Sequence, residues 1–160
     1  MWTVIASIIV IVGGFLAFTL GGVLSSPFLF VLYFLLGQKM SEKSFAFMGT
    51  IISGTFCSIT NIAFAWLVFR VFVGATSFGI FPFLACLLPM LITIAKDFNR
   101  YMAMKNVLIE GKDELGGKDF EAVSEVTAPH TQAARGLIIG ELTGILLGGP
   151  IFLFFAQMID

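Results

Sequence analysis

Glu141 is the residue whose type and placement ask for chemistry. It lies in an apolar run that starts after Arg135 and continues to about Met158. Less than two helical turns separate it from Arg135, which puts it in the shallow cytoplasmic third of a span. Ionisable side chains inside spans are rare, face the protein interior and mark ion or proton pathways. Two roles fit Glu141. One is proton or cation handling; the other is structural, a bond across a helix contact or a pairing with Arg135 or Lys96. Asn61 and Thr143 are the other polar groups singled out within apolar runs. Asn61 lies well inside its run, where a neighbouring helix could satisfy its amide. An oligomeric ion channel or small-solute transporter would place Glu141, Asn61 and Thr143 near its pathway.

Other chemistries find no support. His130 is the only histidine, with no second histidine or cysteine near it in sequence, so neither a metal nor a cofactor is expected. Cys57 and Cys86 form no CxxC and sit in apolar runs, as small packing residues do. There is no nucleophile elbow, HExxH or Walker loop. The Gly13-Gly14 and Gly21-Gly22 pairs lack the strand and acidic residue of a dinucleotide site. The expectation is a chain that is not an enzyme.

The elements that hold these residues are membrane helices. The chain is 58% apolar and only 12% charged, about half the charge of an ordinary globular protein. Its net charge of -1 offers no basic field for nucleic acid. The N-terminal run lacks the positive flank of a signal peptide and is longer than one, so a retained anchor is expected. Gly136, Gly140, Gly144 and Gly148 recur at every fourth residue. At 100° per residue they form one slowly winding stripe without side chains, the kind of face by which helices approach closely in lipid. Gly13, Ala17, Gly21 and Ser25 repeat the spacing in the first run, and Gly49, Ser53, Cys57, Asn61 and Ala65 in the second.

The reading is all-α: a polytopic bundle of four transmembrane helices with one cytoplasmic helical loop. The spans cover about 2–24, 45–69, 78–95 and 136–158. The first continues at 27–36 as a kinked extension or a half-helix, after the Gly21-to-Pro27 break with Ser25 or Ser26 capping Pro27. Pro82 and Pro89 kink the third. Residues 96–135 form the one long polar segment. It continues the third helix to about Gly111, turns through Gly116-Gly117, offers a short amphipathic helix at 118–126 and restarts at Pro129.

Eight of the nine Lys and Arg fall in the segments 37–45 and 96–135, against Arg70 alone on the other side. Positive-inside bias then puts both segments in the cytoplasm and both termini outside, as in a bacterial inner membrane protein. Lys96, Arg100 and Lys105 would meet lipid or a partner. Three small-residue faces exceed the needs of one bundle. The first expectation is therefore a zipper-packed homo-oligomer, or a subunit of a larger membrane complex. Its cytoplasmic segment, acidic at Asp113, Glu114, Asp119, Glu121 and Glu125, would dock a cytoplasmic protein partner.

Overall fold

A computed structural model describes residues 1–37, 39–74, 80–114 and 117–158, without the side chains at 80–82, 113, 118, 152, 153 and 155–158. The turn expected beyond Gly74, the start of a span at Phe78, Gln38 and Gly116 lie outside these residues, as does the side chain of Pro82. The described chain is all-helical. Its helices are α1 (Trp2–Leu36), α2 (Glu42–Val73), α3 (Ile80–Glu114) and α4 (Gly117–Met158). Three are long and apolar enough to cross a membrane: α1, α2 and residues Asp119–Ile151 of α4.

Of the two forms expected for 27–36, the structure has the extension and not a separate half-helix. Helix α1 runs unbroken through Pro27. Proline removes only its own N–H and disturbs one carbonyl, and in an apolar surrounding any freed backbone group has no better partner than the helix itself. Ser25 does not cap a new helix; its hydroxyl bonds back to the Gly22 carbonyl at 2.7 Å. Helix α4 likewise passes through Pro129 and Pro150 without a restart, so 118–126 is not a separate helix. Helix α3 continues past Gly111 to Glu114.

Helix α2 has conventional ends. Ser41 accepts the Ser44 N–H at 3.3 Å, and Glu42 suits the positive end of the helix dipole. At the other end Gly74 takes the left-handed conformation (φ 66°) and donates its N–H to the Arg70 carbonyl at 3.1 Å, a closure that glycine makes without strain.

Consecutive helices run antiparallel. Phe28 meets Phe56 and Tyr33 meets Phe45 across α1 and α2. Helices α2 and α4 lie parallel and share the most extensive contact, while among the described residues the backbones of α1 and α4 do not approach each other. The apolar core fills one end of the bundle, where Ala6, Val10, Ile62, Ala65, Phe69, Cys86 and Met90 are buried. The polar interior lies toward the other end.

The glycine stripe has a different use from the one its surplus suggested. A Cβ at Gly136 would strike Thr50 and the Phe47 carbonyl, and one at Gly140 would strike the Ile51 carbonyl. At Gly144 it would lie 2.7 Å from the Thr55 carbonyl oxygen, and at Gly148 2.8 Å from Ile62. Gly54, which the fourfold pattern passes over, answers from α2: its Cβ would sit 2.6 Å from the Leu137 carbonyl oxygen. Gly21 is pressed against the Cys57 backbone and Gly13 against the Phe64 ring, while Ala17 is buried and Gly49 sits by Leu29. These faces are occupied within one chain, so they leave no surplus to argue for contacts between chains.

Candidate functional site

The α2–α4 approach carries Glu141 into the polar interior. Gly140 and Gly144 bring the two backbones together, and hydroxyls cross the contact. Ser58 Oγ donates to the Glu141 carbonyl at 2.9 Å, and Thr55 Oγ1 to the Gly140 carbonyl at 3.2 Å. Both bonds hold the backbone of α4 and leave the Glu141 side chain unaddressed. That side chain is 0% exposed, and neither carboxylate oxygen has a hydrogen-bond partner among the described residues. A buried polar group without a partner costs several kcal/mol, and an unpaired charge more.

The nearest titratable group is another acid. Asp97 of α3 faces Glu141, close enough for their carboxyls to interact directly. Asp97 stands two residues beyond the third apolar run and is half-buried. Burial is the main reason that its carboxyl is held above the usual carboxylate range; Glu141, Arg100 and Lys96 pull the other way. The Cys57 thiol on α2 lies within electrostatic reach of both carboxyls, with Ser53 beside it. From α1 only Gly21 and its neighbours reach this level, and α1 carries no charged residue.

Neither basic partner expected for Glu141 fills that place. The Arg135 guanidinium lies 5.7 Å from the Phe47 ring centre, and Lys96, Arg100 and Lys105 are exposed on α3. Asn61 is fully buried, as its position predicts. Its Nδ2 reaches the Cys86 carbonyl at a long 3.5 Å, and its Oδ1 has no partner among the described residues. A Cβ at Gly14 would lie 3.0 Å from that Oδ1, so Asn61 looks toward α1 and α3, deeper than the acid pair. Thr143 does not belong with these residues. It lies on the outer side of α4, with its hydroxyl donated to the Ile139 carbonyl of its own helix.

Asp97 was missed in sequence because Lys96-Asp97 reads as the charged flank that ends a span. The available signal was spacing: Asp97 falls on the face of Cys86, Pro89, Met90 and Thr93, which points inward. Among the described residues no group of three His, Cys, Asp or Glu gathers as a metal site would require. His130 is exposed at the rim of an apolar cleft of about 310 Å³ between α3 and α4, with Met104, Val107 and Val126. Compared with protein-family models, curated proteins and solved structures, the chain matches none of them.

Proposed function

We propose that the chain is a non-enzymatic integral membrane protein that carries an ion through or into its bundle, with Glu141 as the ion-binding group. One observation carries this reading: a fully buried, unpartnered carboxyl aimed at a second carboxyl. Two facing carboxylates in a low-dielectric interior need a positive charge between or beside them, and a protein built only to pack would put apolar residues there. Asn61, deeper on α2, extends the polar interior past the pair. The alternating directions of the helices support four crossings, with α3 as the third. The Lys and Arg bias then supports cytoplasmic 37–45 and 96–135 segments, outward termini and a bacterial inner membrane.

Purified protein reconstituted in liposomes tests the reading. An imposed ion gradient should decay faster with the wild-type chain than with Glu141→Gln. Well-folded protein with no flux for protons, sodium or potassium would overturn it.

A specific observation favours a second reading, a complex subunit with a docking arm. Helix α4 has 42 residues, about 63 Å at 1.5 Å per residue, against roughly 30 Å of hydrocarbon. Helices α3 and α4 therefore project as a helical hairpin whose far half is acidic and would suit a basic partner surface. Homo-oligomerisation would have to use other surfaces than the glycine faces. Co-purification of a second polypeptide at fixed ratio from gently extracted membranes, abolished when the hairpin charges are reversed, would favour this subunit role.

A further inference from the structure

We infer that the ion held at this site is a proton shared between the Glu141 and Asp97 carboxyls, not a metal cation; the inference rests on the ion-handling reading above. The donor set decides between the two. Hard cations such as sodium, calcium or magnesium take about six oxygen ligands or keep several waters. Here two carboxyls face each other, and no third His, Cys, Asp or Glu joins them among the described residues. The neighbouring hydroxyls of Ser58 and Thr55 are turned to backbone carbonyls. The Cys57 thiol, the other titratable group that senses the pair, is a soft ligand suited to different metals.

A proton asks for much less. One O–H on Glu141 donating to the Asp97 carboxylate makes a short, charge-assisted hydrogen bond. It supplies a partner for an oxygen that otherwise has none. The remaining single negative charge faces Lys96 and Arg100, both on the exposed side of α3 next to Asp97. The path for exchange is also asymmetric. Asp97 is half-buried and Glu141 wholly buried, so the proton arrives from water at Asp97 and rests on Glu141. Loading forms one O–H bond from a water-borne proton, and release breaks it and returns the proton to water, with no electron transferred. The groups facing the pair are Cys57 and Ser58 from α2, and Lys96 and Arg100 from α3 beside Asp97. Helix α1 adds no titratable group at that level, and α4 adds none besides Glu141.

Infrared difference spectroscopy on the full chain in lipid, titrated with pH, reads this directly. The wild type should show a protonated-carboxyl carbonyl band that is lost as pH rises. The band should be absent in Glu141→Gln, shifted in its titration in Asp97→Asn, and unmoved by added sodium or calcium at fixed pH. A band that sodium or calcium removes, or one that survives both substitutions, would overturn the inference, as would no titrating band at all. If Glu141→Gln does not fold, Asp97→Asn, at the water edge, reads the same band. Flux without the band overturns the shared proton alone, and the band without flux overturns ion transport alone.

Discussion

Replacing Gly140 with alanine tests whether close helix approach holds α4 on α2. In an unobstructed helix the change would stabilise by about 1 kcal/mol through backbone propensity. Here the new methyl meets the carbonyl oxygen, carbonyl carbon and Cα of Ile51. All three are backbone, so no side chain can swing aside and the helices themselves must separate. Overpacking of this kind costs about 1–3 kcal/mol, and the backbone contact argues for the upper end. The net loss is about 2 kcal/mol, roughly a 30-fold fall in the folding equilibrium at 1.4 kcal/mol per tenfold. Reversible unfolding in bicelles, read by steric trapping, has the precision for this. Gly117→Ala is the control, since nothing lies within 4 Å of its Cβ, and it should be neutral or slightly stabilising. Gly54→Ala, at the same crossing, should lose a similar amount and combine with Gly140→Ala non-additively. Should Gly140→Ala prove as stable as wild type while Gly117→Ala behaves as expected, the close approach of α2 and α4 is not what secures the bundle.

Three further outcomes follow from the site and the termini. Glu141→Met should raise stability by about 1–3 kcal/mol, because it removes a fully buried carboxyl whose desolvation one hydrogen bond to Asp97 offsets only in part; a loss in bicelle unfolding would instead give Glu141 a structural role. Stability should fall as pH rises above about 4, where an unfolded Asp begins to ionise. The native chain retains a proton there that the unfolded chain releases, since burial holds Asp97 upward; a denaturation midpoint flat with pH, or a slope unchanged in Asp97→Asn, would contradict this. Single cysteines at Glu42 and Glu114, in a chain whose own two cysteines are replaced by alanine, should react with an impermeant maleimide from the cytoplasmic face only, and one at Arg70 from the opposite face. Labelling of Glu42 and Arg70 from one side would refute the topology.

Most of the fold was legible because its periodicities are local. Glycine at every fourth residue from 136 to 148 marked a contact face, and the contact exists. The identity of its partner was not legible, since the stripe says that a backbone approaches and not which one. Gly54 shows the difference: alone it breaks no pattern, yet it is the α2 half of the crossing. Pro27 misled for a related reason. A proline beside two serines is a helix start in water, whereas in an apolar helix the ladder on either side holds through it. Glu141 stood out as an ionisable residue in an apolar run. Asp97 did not, because its role comes from α3 lying beside α4, a neighbour relation that no spacing within one helix encodes.

The unbroken length of α3 and α4 has a mechanical consequence. Asp97 and Glu141 sit one on each of these rods, which run on side by side past the cleft at Met104, Val107 and Val126 toward Glu114 and Gly117. From Asp97 to Glu114 is 17 residues, a lever of about 26 Å. A change of 5° between the rods at the acid pair would sweep the far tip through about 2 Å, a displacement that a partner gripping the tip would register. Had either helix been broken at Gly111 or Pro129, the joint would have absorbed that rotation. Continuity would carry a rotation at the Glu141–Asp97 pair to the far end of both helices.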